Sequence, residues 1–549
     1  MIKRFDNSLL NNIFDVAIIG GGVNGCGIAR DAAERGLRVI LLEKEDFAYG
    51  CTSASTRLIH GGLRYLENLE FDLVRESLRE REILLKNAKH LVKPLELLIP
   101  IYSWNRHNYL KIKAGMLLYD VLSYDKSLPG HKMFNKNSLA SFEPSIKTDF
   151  LTGGVVYYDS QVQFPERLTL ENILMAKNYG AFVLNHAEVV DLKIESKKIS
   201  IISFLDKLTN RKYDVAAKLV INVAGPWLDN LCGLTKLNIK RITLGTKGSH
   251  IIIKRFEGGP KHAIYVEAKS DGRPFFIVPW MNDNKEELYL IGTTDIPFND
   301  DLDSLAITKD EIDYLISEAN NVLKIKTIKL SDILYSYSGV RPLLYSNESN
   351  VGKITRKHII LDHASDGIDN FVSVIGGKLT TYRNLSEEVV NLVYKKLVYK
   401  KNGCKTKEIP LVGNIPLNTD ISFFKRQVFS SNAYDTHILS NLIDLYGIRF
   451  KDLLEFCRVD SSLKDFLSFD SYDIKAQVKY SILNEMAFTV SDVLLRRLTL
   501  GLCPNLGEEA IHYVADELQT FYDYSEDEIA KQKKYYLENV IGLRTGSSQ

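Results

Sequence analysis

A strand, a glycine-rich turn, a helix and a second strand follow one another near the start of the chain, and this succession restricts the fold more than any other feature. The β-branched run Asp15–Ile19 leads directly into Gly20, Gly22 and Gly25, which complete the pattern G-x-G-x-x-G. A helical stretch comes next, and the run Arg38–Glu43 reads as a second buried strand that ends on an acid about twenty residues after the glycines. This order predicts a dinucleotide-binding unit of the Rossmann type.

Each residue of the motif has a mechanical reason. Gly20 permits the tight turn, Gly22 lets the backbone approach a pyrophosphate, and Gly25 allows the helix and strand to pack closely. The free N–H groups at the start of the helix attract phosphate oxygens. Glu43 is expected to bind the hydroxyl groups of an adenosine ribose. The motif by itself does not separate a nicotinamide dinucleotide from a flavin dinucleotide.

The segment CTSASTRLIHGGLRYLE, soon after the second strand, combines small hydroxyl residues with a histidine and a Gly-Gly pair. The hydroxyl groups of Thr52, Ser53 and Ser55 can donate to phosphate or ribitol oxygens. Gly61 and Gly62 carry no side chains, so a broad planar ring can lie against their backbone. On its residues alone, the segment is more typical of a polar loop with a glycine turn.

The overall composition excludes several other classes of protein. The 549 residues include 70 Lys and Arg against 69 Asp and Glu, so no surplus of positive charge is available to coat a nucleic acid. A hydrophobic fraction of 45% argues against disorder. The six cysteines lie far apart without a C-x-x-C pair, so a disulfide scaffold, a zinc site and an iron–sulfur centre are unsupported, and no metal is expected.

Further motifs occur in order along residues 18–383. They are IIGGGVNGCGIARDAAERGL from Ile18, TSASTRLIHGGLRYLE from Thr52, VINVAGPW at Val220–Trp227, TKGSHIII at Thr246–Ile253, IGTTD at Ile291–Asp295, YSGVRPL at Tyr337–Leu343 and IGGKLTTYR at Ile375–Arg383. On these motifs the chain resembles the flavoprotein family that includes D-amino-acid oxidase and, more narrowly, the FAD-dependent glycerol-3-phosphate dehydrogenases. IHGGLRYLE and GGKLTTYR carry the narrower resemblance, and the other motifs are shared more widely.

The resemblance implies an α/β fold in which a Rossmann-like FAD-binding domain is discontinuous, beside a substrate domain with a mixed or antiparallel sheet. Helical periodicity after a polar linker around KKNGCKTKE adds a helical C-terminal domain. The predicted boundaries are 1–90, 151–240 and 351–395 for the FAD-binding domain, 91–150 and 241–350 for the substrate domain, and 405–549 for the C-terminal domain. Capping-box patterns predict helix starts at Thr308 and Ser525.

The resemblance also implies which residues surround FAD. The predicted contacts are Gly20, Gly22, Val23, Asn24, Gly25, Glu43, Lys44, Thr52, Ser53, Ser55, His60, Gly61, Gly62, Val189, Ala224, Gly225, Trp227, Gly377, Lys378, Leu379 and Thr380. A helix that begins near Leu379 would face the pyrimidine carbonyl groups of the flavin with its positive end.

Several cations stand inside these motifs. Arg64, Arg341 and Lys378 lie in apolar or glycine-rich surroundings, whereas Arg356 lies in the basic run KITRKH, where a solvated surface charge is an equally good interpretation. A buried cation needs an anionic partner, and a substrate phosphate over the flavin would be that partner. We therefore expect Arg64, Arg356 and Lys378 to bind and orient the phosphate, with Tyr65 either contacting the substrate or closing the pocket.

The reaction implied by the resemblance is oxidation of glycerol 3-phosphate to dihydroxyacetone phosphate, with a hydride leaving C2 for the flavin and a proton leaving the C2 hydroxyl. Arg341 is expected to polarise that hydroxyl. Because an arginine stays protonated, His60 or His250 is chemically preferable as the proton acceptor. Arg341, His60, His250 and Lys378 are thus the predicted catalytic residues.

The sequence says less about the electron acceptor and about the location of the protein in the cell. No apolar run reaches the ~18–20 residues that span a bilayer, and residues 1–14 lack the apolar core of a signal peptide. We expect a cytoplasmic protein that passes electrons to a quinone, with oxygen as the alternative acceptor. The segment Asn108–Lys126 fits an amphipathic helix on the inner face of the cytoplasmic membrane, and it fits a core-facing helix at least as well. The sequence leaves open whether the protein forms a homodimer.

Two rival functions also stay open. One is a related flavin oxidoreductase that acts on an amino acid or a 2-hydroxy acid, which needs an arginine for a carboxylate but fewer cations overall. The other is a non-catalytic FAD-binding protein, which has no need of Arg341 or Lys378.

Overall fold

The computed structural model describes residues 4–5, 11–281, 285–345, 356–400 and 402–546. The predicted domain limits at residues 1, 350/351 and 549 lie outside the described residues. The strands in chain order are β1 Ile13–Ile19, β2 Val39–Leu42, β3 Leu58–Ile59, β4 Val92–Tyr102, β5 Lys132–Asn135, β6 Leu151–Val162, β7 Phe182–Leu184, β8 Ala187–Glu195, β9 Lys198–Asp206, β10 Arg211–Asn222, β11 Thr243–Lys254, β12 Ala263–Glu267, β13 Pro274–Trp280, β14 Leu288–Gly292, β15 Ile296–Phe298, β16 Ile333–Leu344, β17 Ile359–Asp362 and β18 Phe371–Ile375.

The α-helices are α1 Val23–Glu34, α2 Arg64–Glu67, α3 Phe71–Asn87, α4 Tyr109–Leu122, α5 Lys136–Phe142, α6 Pro165–Asn178, α7 Leu228–Gly233, α8 Lys309–Val322, α9 Tyr382–Lys396, α10 Ile421–Ser431, α11 Thr436–Tyr446, α12 Phe450–Val459, α13 Lys475–Asn484, α14 Val490–Asp492, α15 Ile511–Tyr522, α16 Glu526–Tyr535 and α17 Leu543–Thr545. Short 3₁₀ turns at Gly225–Trp227 and Leu379–Thr381 lead into α7 and α9.

The first sheet confirms the predicted dinucleotide-binding unit. Its strands lie in the order β17-β18-β10-β1-β2-β7, and β1 runs parallel to both β2 and β10. The side chains of β1 and β2 are almost all buried, because α1 packs on one face and the β8–β9 hairpin covers part of the other. A strand covered on both faces is apolar throughout, which explains the continuous hydrophobic runs in the sequence.

The second sheet has the order β15-β11-β14-β13-β12-β4-β6-β3, with β16 paired to β11 and β5 paired to β6. Its pairs are antiparallel except for β12 and β4, which run parallel. It therefore is the mixed sheet that we predicted. Strand β6, however, places 12 residues in this sheet that we had assigned to the FAD-binding domain. The pattern of apolar residues identifies a strand, but the sheet that it joins depends on a partner far along the chain.

The region after α9 is helical, and the structure describes no strand within residues 402–546. Capping boxes start α8 at Thr308 and α16 at Ser525, as predicted. Buried ion pairs connect this region to the first sheet. They join Arg496 and Arg497 to Asp46, which lies just after β2. In the described part of the chain, no helix combines the length and the apolarity that crossing a membrane requires.

Candidate active site

A cavity of about 550 Å³ runs along the ends of the parallel strands toward the second sheet. Its walls combine segments that are distant in the chain but that carry the motifs found in the sequence. The predicted cofactor residues that line it are Gly20, Gly22, Val23, Asn24, Glu43, Lys44, Thr52, Ser55, His60, Val189, Ala224, Gly225, Trp227, Gly377, Lys378, Leu379 and Thr380.

The three glycines of the first motif have the environments that their predicted roles require. Gly20 has a φ of +118°, and a Cβ there would lie 2.5 Å from the carbonyl oxygen of Val223. A Cβ on Gly25 would lie 1.9 Å from the carbonyl oxygen of Gly20, so only glycine permits this helix-to-strand approach. A Cβ on Gly22 would meet only the hydroxyl of Thr52, at 3.5 Å, and would point into space beside the cavity. The backbone at Gly22 is therefore open to a pyrophosphate.

Glu43 stands at the end of β2 and is buried. Its two carboxylate oxygens accept hydrogen bonds from the backbone N–H groups of Gly21 at 2.5 Å and of Glu45 at 2.8 Å. Burial raises the pKa of Glu43 from its usual value, while these two hydrogen bonds lower it. The backbone thus holds the carboxyl group in one orientation at the cavity wall, where its remaining lone pairs can accept ribose hydroxyl groups.

The far end of the cavity is formed by the turn after β18. Gly376 and Gly377 both have positive φ, and the side-chain amide of Asn24 donates to the carbonyl oxygen of Gly376 at 3.1 Å. The Leu379–Thr381 turn then presents the amino-terminal end of α9 to the cavity. Asn24 Oδ1 and the indole nitrogen of Trp227, both buried, have no hydrogen-bond partner among the described residues. These donors, acceptors and glycines fit an extended dinucleotide such as FAD.

Four predicted cofactor residues are absent from the described walls of this cavity. Gly25 lies behind it, for the packing reason given above. The hydroxyl of Ser53 donates to the carbonyl oxygens of Tyr49 and Gly50, each at 3.1 Å, and so closes a local turn. Gly61 packs on the hydroxyl of Tyr119, and Gly62 lines a second cavity beside the first.

The second cavity has a volume of about 190 Å³ and adjoins the first, because Thr56, His60, Tyr65, Arg341 and Arg356 line both. The remaining residues around it are Gly62, Leu63, Arg64, Tyr157, Tyr265, Arg273, Pro274, Phe276, Thr293 and Asp295. Four arginines thus surround a space that is large enough for a small phosphorylated molecule.

One carboxylate holds two of these arginines. Asp295 Oδ1 pairs with Nη1 of Arg341 and Asp295 Oδ2 pairs with Nη2 of Arg356, both at 3.1 Å. Arg341 also donates to the hydroxyl of Thr293 at 2.9 Å. Burial lowers the pKa of Arg356, and its buried Nη1 atom has no hydrogen-bond partner within the described part of the chain. The two guanidinium groups outnumber the carboxylate, so the cluster is suited to an additional anion.

Lys378 reaches toward this region from the turn after β18. Its ammonium group lies 3.8 Å from the centre of the Tyr65 ring and donates to the hydroxyl of Ser77 at 2.9 Å. Burial lowers the pKa of Lys378 to about 7, although Glu76, Glu70 and Asp159 oppose the shift. The side chain is therefore half neutral near pH 7, unlike an ordinary lysine.

The two predicted histidines lie at different depths. His60 lines both cavities, and burial, together with the positive charge of Lys378, lowers its pKa to about 4. His250 is fully buried, stacks on Tyr337 and shares a hydrogen bond of 2.9 Å with Thr56. Burial lowers the pKa of His250 well below its usual value. His250 belongs to neither described wall and reaches the cavities only through Thr56.

Sequence reasoning missed Arg273, Asp295, Thr293 and Ser77. Arg273 begins the run RPFFIVPW, and Thr293 and Asp295 lie in IGTTD, which we used only as signs of β-structure and of family resemblance. For Arg273 and Asp295, the available sign of a functional role was a charged residue beside an apolar strand. Ser77 gave none, because its role depends on the position of α3 beside the Lys378 turn.

Two family models match the chain. The model described as FAD dependent oxidoreductase matches residues 15–383, and the model described as the C-terminal domain of alpha-glycerophosphate oxidase matches residues 404–529. The glycerol-3-phosphate dehydrogenase of Synechocystis sp. is 43% identical over 541 residues, 96% of each chain. The aerobic glycerol-3-phosphate dehydrogenase of Staphylococcus haemolyticus is 34% identical over 541 residues, 96% of this chain and 92% of the relative.

One solved structure agrees with these relatives. The glycerol-3-phosphate dehydrogenase of Bacillus halodurans, solved in complex with FAD, superposes with a TM-score of 0.80 at 26% identity and covers 98% of this chain and 96% of its own. The likeness thus extends over both sheets and the helical region after them. The chain belongs to the family of FAD-dependent oxidoreductases and, within it, to the glycerol-3-phosphate dehydrogenases.

Proposed function

We propose that this protein oxidises sn-glycerol 3-phosphate to dihydroxyacetone phosphate and passes the electrons to a quinone. The observation that carries the proposal is the second cavity, where four arginines surround a space continuous with the proposed FAD cavity. When bound, FAD supplies the acceptor for the hydride that leaves C2 of the substrate. The chain itself must bind the phosphate, orient C2 and take up the hydroxyl proton.

We assign phosphate binding to Arg64 and Arg356, as expected from the sequence, and add Arg273. All three line the smaller cavity. Nη1 of Arg356 is buried and has no hydrogen-bond partner among the described residues, so it can donate to a phosphate oxygen. Among the described residues, Asp271 pairs with Arg273, and Asp295 pairs with both Arg341 and Arg356, so these two carboxylates do not balance the four arginines. A phosphate dianion matches the remaining positive charge better than the single carboxylate of an amino acid or a 2-hydroxy acid does. This difference favours a phosphorylated substrate over the substrates of the rival flavin enzymes.

Arg341 is the candidate for orienting the reacting hydroxyl. Asp295 and Thr293 fix its guanidinium group from two directions, and Arg341 lines both cavities. A guanidinium held in this way stabilises negative charge that develops on the substrate oxygen as its proton leaves. It is not itself a proton acceptor, because a guanidinium group offers hydrogen-bond donors and no acceptor.

Lys378 is the best candidate for the proton acceptor. A general base works best when its pKa lies near the operating pH, and burial brings the pKa of Lys378 to about 7. His60 touches both cavities but, with a pKa of about 4, is a much weaker base. His250 is separated from the cavities by Thr56. We therefore assign proton transfer to Lys378 and hydrogen bonding at the cofactor to His60.

Helix α4 supports a peripheral position on the inner face of the cytoplasmic membrane, where a quinone is available. Met116 and Tyr119 are its only buried residues. The exposed apolar side chains on and just after α4 are Leu110, Leu117, Leu118, Val121 and Tyr124. Lys111 and Lys113 are exposed beside them, as a helix that lies on anionic lipid headgroups requires. His107, just before α4, pairs with Glu67 of α2 at 3.0 Å, which brings this surface close to the helix that carries Arg64.

Substrate screening with the purified FAD-loaded protein tests the proposal. Glycerol 3-phosphate should support turnover with a ubiquinone analogue, whereas glycerol, D-alanine and D-lactate should not. Turnover with an amino or 2-hydroxy acid at a comparable kcat/KM would contradict the assignment of the arginine cluster to a phosphate. Faster turnover with oxygen than with the quinone analogue would show that the protein is an oxidase.

A further inference from the structure

A buried carboxylate lies against the His60–Gly61 backbone, beside the two cavities. Asp159, on β6, is only 1% exposed. It accepts hydrogen bonds from Nη1 of Arg81 at 2.5 Å, from the hydroxyl of Tyr119 at 2.8 Å and from the backbone N–H of Gly61 at 3.4 Å. Three separate segments, α3, α4 and the loop after β3, therefore converge on one side chain.

The contact with Gly61 fixes the backbone next to His60. The N–H of Gly61 also donates to the hydroxyl of Tyr119 at 3.1 Å, and a Cβ on Gly61 would lie only 2.3 Å from that oxygen. The loop thus rests directly on Tyr119 and Asp159. Since His60 lines both cavities, a displacement of this backbone would move the wall that the cofactor and the substrate share.

Helix α3 also connects Asp159 to Lys378. Ser77 and Arg81 are separated by one helical turn, so their side chains lie on the same face of α3. Ser77 accepts the hydrogen bond from Lys378, and Arg81 binds Asp159. One face of α3 therefore joins Lys378 to the carboxylate that supports the His60–Gly61 backbone.

The charged groups that act on Lys378 and His60 can be named individually. Lys378 faces Glu70 and Glu76 as well as Asp159, and all three raise its pKa against the effect of burial. His60 faces Asp159, which raises its pKa, and Lys378, which lowers it.

Around Asp159 itself stand Arg81 and the two tyrosines Tyr119 and Tyr157. Asp159 is therefore the one carboxylate whose charge acts on both Lys378 and His60, as far as the pKa shifts of the described residues record.

We infer that Asp159 is a positioning residue for the oxidation: it holds the His60–Gly61 backbone in place, directly and through Tyr119, and provides negative charge to Lys378. This inference rests on the proposed function. Asp159 touches neither cavity, so its effect must pass through these neighbours.

Asp159→Asn tests the charge, because an amide keeps an acceptor for Gly61 and Tyr119 but loses the negative charge. The pH midpoint of the rate of flavin reduction by glycerol 3-phosphate should move to lower pH, because the loss of a negative charge disfavours the protonated amine of Lys378. Competitive acetylation of Lys378, followed across pH by peptide mass spectrometry, should show the same downward shift without any turnover. Unchanged midpoints in both measurements would overturn the inference.

Tyr119→Phe tests whether turnover depends on the position of the His60–Gly61 backbone. It removes only the hydroxyl on which Gly61 rests, so we expect kcat to fall on the order of tenfold, with the FAD content and the Lys378 midpoint nearly unchanged. Wild-type kcat in this variant would contradict the positioning role. It also tests the inference if Asp159→Asn does not fold, since Asn leaves the buried Arg81 without its charged partner.

Glu485→Gln is the matched control. Glu485, in the C-terminal region, is a buried carboxylate that binds Arg167 of α6 at 2.7 Å, so its loss should lower stability without moving either midpoint. An equal midpoint shift in this control would attribute the Asp159 effect to general destabilisation and overturn the inference. If glycerol 3-phosphate fails to reduce the wild-type flavin while the acetylation midpoint shifts in Asp159→Asn, the proposed function is wrong and the charge relationship stands.

Discussion

Asp295 and Arg341 form an ion pair of 3.1 Å at the junction of the two cavities, and the second oxygen of the same carboxylate holds Arg356 at 3.1 Å. One acid from the loop after β14 thereby sets the spacing of two guanidinium groups that come from different parts of the chain. The one carboxylate neutralises only one of the two cations, and in our proposal the other is balanced by the phosphate of the substrate.

Replacing Arg341 with Ala should reduce kcat with glycerol 3-phosphate by about 10²- to 10³-fold, the loss expected for one fixed donor to a developing oxyanion. FAD should stay bound, since the first cavity has many other contacts. Steady-state turnover and the flavin spectrum check both expectations. Arg458→Ala, at an exposed arginine that pairs with Glu455, serves as the control and should behave like the wild type. Unchanged turnover of Arg341→Ala would remove its assigned role.

Asp295→Asn should mainly affect substrate binding. The amide can still accept hydrogen bonds, but two neighbouring arginines then repel one another and lose their fixed spacing. We expect KM for glycerol 3-phosphate to rise about tenfold, which corresponds to about 1.4 kcal/mol. Asp332→Asn removes a surface carboxylate that pairs with Lys326 and provides the comparison. A KM equal to that of the wild type would show that Asp295 does not organise the anion site.

The pH dependence should report Lys378. The neutral amine accepts the proton, and the pKa of Lys378 is about 7, so the rate of flavin reduction should rise with pH through about 7 and then level off. Lys378→Arg keeps a permanent positive charge and should abolish this rise, whereas Lys236→Arg on the surface should preserve it. A rate that instead falls as pH increases would mean that Lys378 acts as a cation and not as the base.

Gly22→Ala should separate cofactor binding from folding. Its added Cβ meets only Thr52, so the apoprotein should fold with a normal melting temperature, but the methyl group occupies the approach of the pyrophosphate. We expect FAD affinity to fall at least about tenfold, or about 1.4 kcal/mol, by fluorescence titration. Gly115→Ala, at a helical position where a Cβ meets nothing within 4 Å, is the matched control. Equal FAD affinity in both variants would contradict the role of Gly22.

The double variant Leu117→Glu and Val121→Glu tests the membrane surface of α4. Val121 is 67% exposed, so the change should not disturb the core, and turnover with a water-soluble acceptor should persist. Co-sedimentation with vesicles of anionic lipid should decrease strongly. Val459→Glu, at a 78% exposed position in the C-terminal region, should leave vesicle binding intact. Full retention of the double variant on vesicles would exclude α4 as the contact.

Local sequence patterns predicted the parts of the site that depend on local geometry. Gly25 is required by its contact with Gly20 in the same turn, Gly20 by its positive φ, and the capping boxes at Thr308 and Ser525 involve residues three apart. The family motifs then identified residues that line the larger cavity, although Ser53 is not among them and closes a local turn. At Gly25, at the two capping boxes and at Ser53, the residues that interact are near one another in the chain.

The features of the site that the sequence did not predict depend on pairing between strands that are distant in the chain. Arg341 and Asp295 meet because β16 and β14 both pair with β11, a register that no local pattern specifies. The same pairing buries His250 behind Thr56, which its position in a polar motif did not reveal. The helical pattern of Asn108–Lys126 predicted α4 but left open whether its apolar face is buried, because that depends on what packs against it.

Anaerobic titration of the purified yellow protein with glycerol 3-phosphate tests whether the bound flavin oxidises this substrate. We predict that the flavin absorbance disappears on addition of glycerol 3-phosphate, that glycerol and inorganic phosphate leave it unchanged, and that a quinone analogue restores it. A flavin that dithionite bleaches but that excess glycerol 3-phosphate leaves fully oxidised would contradict this prediction.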